Sequence, residues 1–214
     1  PQHLVPPPAG RRVVRGGPRC RGPRVRLRAI GDPPLPRNAA QASEAAKWDT
    51  VTAYDVYGQV LAPYSSTHKA LNELIVIFQE AKTAANSVGV GLIPVVCPGF
   101  NDRGVRSGHD ASPRYLTDAP EPVEGSLFRA MLRDAAVPAA DPLADCILMV
   151  TSFNEWHEDT QIEPTAGTAA ATRRDDSDDG AHYTQEYLYT DYGDLYLDIL
   201  RNQTRIPRRN PNEK

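Results

Sequence analysis

Gly91-Leu92-Ile93-Pro94-Val95-Val96-Cys97 is a short, unbroken apolar run closed by Pro98-Gly99. It has no polar residue at alternate positions. That suits a strand covered on both faces, as strands of a parallel sheet are. Upstream, Ser65, Ser66 and Thr67 offer N-caps to a helix. Its apolar stripe is Leu71, Leu74, Ile75, Phe78, Ala81 and Ala85, at three- and four-residue spacing, with Gly89 as its stop. Before it, Thr50-Val51-Thr52-Ala53-Tyr54-Asp55-Val56 is β-branched and aromatic and reads as a strand. Residues 39–46 read as a short helix, and residues 25–30 alternate Val, Leu and Ile with Arg, as a short strand does.

Downstream, a polar loop runs to about Pro122. Residues 124–136 form an amphipathic pattern with Leu127, Phe128, Met131, Leu132 and Ala135 inward. Residues 145–152, Asp-Cys-Ile-Leu-Met-Val-Thr-Ser, read as a second buried strand. Residues 175–180 form an acidic loop, and residues 183–201 return to helix. Strand and helix alternate, which argues for parallel βαβ units joined by right-handed crossovers. A closed eight-fold barrel takes about 250 residues. This chain has 214 and yields three or four strands. The expected fold is therefore α/β: a partial (β/α)8 barrel of the TIM type, truncated at its N-terminus.

Composition divides the chain further. Residues 1–24 are basic and rich in Pro, Gly and Arg, too poor in apolar side chains to bury a core, and are expected to be disordered. Residues 25–204 form the barrel portion and 205–214 a polar tail. The net charge of −3 points to no nucleic-acid partner, and no apolar stretch reaches the length of a membrane span. The three cysteines, Cys20, Cys97 and Cys146, have no CxxC spacing, which argues against a disulfide framework or a structural zinc. Cys97 and Cys146 lie in apolar runs and read as buried small hydrophobes. A monomer is expected.

The chemistry concentrates in Thr151-Ser152-Phe153-Asn154-Glu155-Trp156-His157-Glu158-Asp159-Thr160-Gln161-Ile162-Glu163-Pro164. This stretch directly follows the second buried strand, and parallel α/β folds place function at the carboxyl ends of their strands. Glycosidic cleavage needs one acid to protonate the leaving oxygen and a second carboxylate working at the sugar. Their proton affinities must differ, through burial and mutual repulsion. Glu155 and Glu158, three apart, fall on one side of a helical turn. Trp156 serves equally well as core or as a sugar platform. Asn154 and His157 are of the type that donates to a sugar hydroxyl or orients a glutamate. Glu163 before Pro164 reads as structural. An HExxH zinc motif fails, because Gln161 stands where its second His belongs, so no metal and no organic cofactor are expected.

At these residues the sequence resembles glycoside hydrolase family 99, the endo-α-1,2-mannosidases. Residues 151–163 match that family's Thr-Ser-Phe-Asn-Glu-Trp-His-Glu-Gly-Thr-Gln-Ile-Glu, with Asp159 in place of Gly. Trp48-Asp49-Thr50-Val51-Thr52-Ala53-Tyr54 resembles its Phe-Asp-Gly-Phe-Tyr-Thr-Tyr strand. The stretch Ile93 to Asp102, followed by Val105-Arg106, resembles its Pro-Gly-Tyr-x-Asp loop ending in Ile-Arg. Tyr196-Leu197-Asp198-Ile199-Leu200-Arg201 resembles its last helix. The resemblance implies a (β/α)8 barrel and a retaining, endo-acting glycosidase on α-mannosidic or related α-linked glycans. Glu155 would assist the sugar's own 2-hydroxyl and Glu158 would be the general acid/base. Tyr54 would line the subsite of bond cleavage, and Arg106 and Asp102 would contact sugar. Asp159 would add bulk and charge beside the acid. The implied location is the secretory pathway (Golgi) or the extracellular space. The alternative is a catalytically inactive, truncated relative or carbohydrate-binding remnant, since no part of residues 1–24 matches the family's early strands.

Overall fold

A computed structural model of the chain describes residues 28–103, 106, 108–165 and 192–205. The basic segment 1–24, the acidic stretch 175–180, the first half of the helix expected over 183–201, Val105 and the tail beyond residue 205 lie outside the described residues.

The strands are short and all pair in parallel. β1 (Ile30–Gly31) lies beside β2 (Thr50–Thr52), and β2 beside β3 (Gly91–Ile93), with Val51 opposite both Gly31 and Leu92. β4 (Val95–Val96) pairs with β5 (Met149–Val150) in a second sheet, Val95 opposite Met149. The apolar run of residues 91–97 thus serves both sheets. It divides at Pro94, which has no N–H to give to a ladder. Its carbonyl instead accepts from Met149 N at 3.0 Å, opening the pairing with β5. Every residue from Val90 to Asp102 is buried. Gly91 is required by space, since a Cβ there would lie 2.8 Å from the backbone of Leu143 and Ala144.

Helices fill the crossovers. α1 (Ala39–Ala45) is capped by Asn38, whose side chain accepts from Gln41 N. The expected strand over 50–56 ends early, at Thr52, because residues Tyr57–Leu61 coil into a π-helical turn that buries Tyr57, Val60 and Leu61. α2 (Thr67–Asn86) is capped by Ser66 and buries Leu71, Leu74, Phe78, Ala81 and Ala85 together with Ile77. It packs against β3 and against the helical segment that follows β4. That segment begins as α3 (Ser126–Ala130), widens into a π-helical stretch at Met131–Ala136 and ends as α4 (Val137–Ala139). All five of its expected inward residues are buried. α5 (Leu195–Thr204) buries Tyr196 and Ile199 against this core.

Two expectations fail in one place. Residues 145–152 do not form a buried strand. Only Met149 and Val150 are extended, and Ile147 and Met149 are 44% and 40% exposed. β5 pairs with β4 alone among the described residues. Cys146, expected to be buried, is exposed at φ 56° in the turn leading into β5, whereas Cys97 is buried as expected.

Candidate active site

Three polypeptide segments meet at the carboxyl ends of the strands: residues 53–57 after β2, residues 97–103 and 108–112 after β4, and residues 151–163 after β5. The last folds back on itself. Ser152 N donates to Thr160 O, Ile162 N and Glu163 N both donate to Phe153 O, and Ser152 Oγ accepts from Glu155 N at 2.8 Å. The Thr151–Ser152 peptide is cis. Thr151 Oγ1 donates to Tyr54 O at 3.2 Å, and Asn101 N donates to Glu158 O at 2.8 Å, which ties the three segments together.

Within the turn, Trp156–Glu158 form one 3-10 helical turn with Glu155 as its N-cap, its carboxylate accepting from His157 N. Glu155 stands at the entry of this turn, with a non-helical backbone (φ −84°, ψ 83°), and Glu158 at its end, close enough for their charges to act on each other. Their surroundings differ. The Glu155 side chain is 43% exposed and has His157 Nδ1 3.4 Å from Oε1. The Glu158 side chain is 26% exposed. Burial, then the neighbouring Glu155 charge, push the Glu158 carboxyl above its ordinary value, with Arg106 pulling the other way. Tyr54 lies near both: burial and the charges of Glu158 and Glu155 raise its phenol.

Glu158 and Tyr54 line a pocket with Tyr57, Cys97, Phe100 and Thr160. Its closed part is about 30 Å³, room for roughly one water. Glu155 stands outside that pocket wall, on open ground beside it. Trp156 is 39% exposed, so it is not core, and its Nε1 donates to Glu163 Oε2 at 2.9 Å. Glu163 thus anchors the indole. His157 is 82% exposed, and Asn154 is exposed with its carbonyl accepting from Trp156 N.

Asp102 sits elsewhere than the resemblance implied, while Arg106 lies beside Glu158. The Asp102 carboxylate is fully buried, with His109 Nδ1 at 2.6 Å and a hydrogen bond from Arg106, so it stands behind Arg106 and does not open on the cleft. Arg106 is more than half exposed and lies 3.7 Å from Glu158 Oε1. Asp159 does not crowd the acid. Its backbone is left-handed (φ 52°), which accounts for the Gly of the family motif, and its carboxylate turns inward to Arg114 Nη1 at 2.8 Å.

Arg114 is the centre of a buried cluster that spacing alone did not disclose. Its guanidinium donates to Tyr196 Oη, to the carbonyls of Asp159 and Gln161 and to the carboxylate of Asp159, and it forms an ion pair with Glu124, Nε to Oε1 at 3.0 Å. It also lies over the Tyr196 and Tyr192 rings, 4.3 and 4.9 Å from their centres. Burial nevertheless leaves the Glu124 carboxyl above its ordinary value, outweighing the pull of Arg114. This cluster fastens the C-terminal end of the Glu155–Glu158 turn to α5. His109, seven residues after Asp102, likewise meets it only in the fold. No pattern marks a lone His in a polar loop.

Among the described residues no three His, Cys, Asp or Glu side chains converge on a possible metal position, and no helix is long and apolar enough to cross a membrane.

No protein-family model matches the chain. Over 128 residues it is 29% identical to a glycoprotein endo-alpha-1,2-mannosidase-like protein of Mus musculus, covering 58% of this chain and 23% of that protein. Over 142 residues it is 28% identical to the glycoprotein endo-alpha-1,2-mannosidase of Xenopus laevis, covering 64% and 24%. The chain therefore aligns with about a quarter of these relatives' length. Among solved structures, it superposes on a GH99 endo-alpha-mannosidase from Bacteroides thetaiotaomicron with a TM-score of 0.49 at 21% identity, covering 81% of this chain and 46% of that one. By sequence, the chain is related to the endo-alpha-1,2-mannosidases, at low identity and over part of its length, which bears out the kinship expected from residues 151–163.

Proposed function

We propose that this polypeptide carries the catalytic carboxylates of a retaining, endo-acting glycosidase for α-mannosidic glycans, on a partial (β/α)8 barrel. The observation that carries the reading is the pair on one 3-10 turn, Glu155 open and Glu158 sheltered with a raised proton affinity, beside Tyr54 at the strand ends. The relationship to endo-alpha-1,2-mannosidases supplies the substrate class.

In the proposed reaction Glu155 takes the proton of the 2-hydroxyl, and O2 attacks C1. Glu158 gives its proton to the departing glycosidic oxygen as the C1–O bond breaks. Water then opens the 1,2-anhydro sugar at C1, losing its proton to Glu158 while Glu155 returns one to O2. Two inversions at C1 give net retention. Burial of Glu158 favours the protonated form that the first step requires. Trp156, steadied by Glu163, offers a ring face to the sugar, and Arg106, His157 and Asn154 offer donors at the rim. The 30 Å³ pocket under Tyr54 is too small for a sugar, so the ring would lie above it, against Glu155 and Trp156.

The test is hydrolysis of an α-1,2-linked mannoside, with the anomer of the first product read by NMR. Cleavage with retention, falling by about 10²-fold or more in Glu158→Gln, is expected. Undiminished cleavage by that variant overturns the assignment. A second reading, a binding remnant without turnover, is favoured by one observation: among the described residues, β1 and β5 each have one neighbour and the sheets do not close. Saturable mannoside binding without cleavage is its expected result.

A further inference from the structure

We propose that His109 is a positioning residue for Glu158, acting through Asp102 and Arg106; the inference rests on Glu158 being the acid/base of the reaction above. The Arg106 Nη1 is shared between two carboxylates. It donates to Asp102 Oδ2 and lies 3.7 Å from Glu158 Oε1. What Asp102 takes from that cation, Glu158 does not receive. The Asp102 carboxylate is fully buried, and a buried anion draws hard on every donor in reach. His109 Nδ1 meets its other oxygen at 2.6 Å. With that oxygen satisfied, Asp102 draws less on Arg106, and a proton gained by the imidazole would loosen the hold further by offsetting the charge of Asp102.

The imidazole is set for this role. Its ring stands edge-on to Tyr57 and Phe100, 5.3 and 5.9 Å between centres, and those two rings stack at 3.7 Å. Its carbonyl accepts from Arg103 Nε at 2.6 Å. The ring is 40% exposed, so solvent protons reach it. The charged groups around it are Asp102, Arg103, Arg106 and Asp110 from its own loop. From the π-helical turn comes the Tyr57 phenol, pushed up to about 12 by burial and so neutral near pH 7. Beyond Arg106 stand Glu158 and Glu155, on the turn that Asn101 N holds to this loop.

The experiment is a pH titration of the Glu158 side-chain carboxyl carbon by NMR in the intact chain, with the His109 ring resonances followed in parallel. In the wild-type chain, the Glu158 curve should carry a second, smaller inflection at the His109 midpoint. Its absence overturns the proposal. His109→Phe keeps the ring packing and removes the donor, so it should raise the Glu158 midpoint by roughly half a pH unit, about threefold in proton affinity. An unchanged midpoint contradicts the proposal. His109→Gln keeps a donor and cannot be protonated, so it should restore most of the midpoint and abolish the second inflection. On an Arg106→Gln background, His109→Phe should add nothing; an equal shift there would show that His109 acts by another route. The readout needs no turnover. A chain that shows the coupling but cleaves no mannoside removes the functional reading alone, and a chain that cleaves without the coupling removes this inference alone.

Discussion

Asp159 shows how one residue serves two demands. The turn after Glu158 needs a left-handed residue, which Gly adopts freely and Asp tolerates. The buried Arg114 needs an anion, which Asp supplies and Gly cannot. Asp159→Gly should ease the backbone and still destabilise the fold by about 2 kcal/mol or more, because Arg114 would lose a buried partner. Chemical denaturation checks this, and a variant as stable as the parent would show that Glu124 and the tyrosines suffice. Glu158 carries a pH signature. Its proton affinity is raised in the folded chain above an ordinary carboxyl value of 4.5. The folded state therefore holds this proton more tightly than the unfolded one. The group's contribution to stability is fully present below about pH 4.5 and is lost as pH rises through the folded midpoint. Loss of protonated Glu158 over the same rise would limit the acid step on the alkaline side.

At the scale of elements, the regular parts were legible in the sequence and the irregular ones were not. The Leu71, Leu74, Ile75, Phe78, Ala81 and Ala85 spacing marked α2 because a 3.6-residue period leaves few alternatives, and of these only Ile75 is half-buried. Leu74→Ala in this helix should cost about 2–5 kcal/mol, read by thermal or chemical unfolding. A loss under 1 kcal/mol would mean that the site collapses around the smaller side chain. β5 was misjudged because an apolar run looks the same whether its faces are covered or open, and coverage is a property of the neighbours. The π-helical turn at Tyr57–Leu61 was invisible because β-branched and aromatic residues before it argued for a longer strand. Residues 151–163 were legible through their density of polar groups at a strand end. The Arg114 cluster was not, since its members come from positions 114, 124, 159 and 196 and meet only in space. His109 and Asp102 met in the same way.

Across the whole molecule, the turn that carries Glu155 and Glu158 is the point where the loops after β2, β4 and β5 converge, held from behind by Arg114 and from the side by Asn101. Among the described residues, Tyr54, Phe153 and Trp156 on these loops are exposed. The account depends on Glu155 and Glu158 feeling each other's charge. The measurement that reaches this most directly is the titration of both side-chain carboxyls by NMR, in the wild-type chain and in Glu155→Gln. Glu158 should titrate above the ordinary carboxyl range, and its midpoint should fall once the neighbouring charge is removed. Two glutamates titrating together as independent surface carboxyls, with Glu158 indifferent to the substitution, would contradict the account.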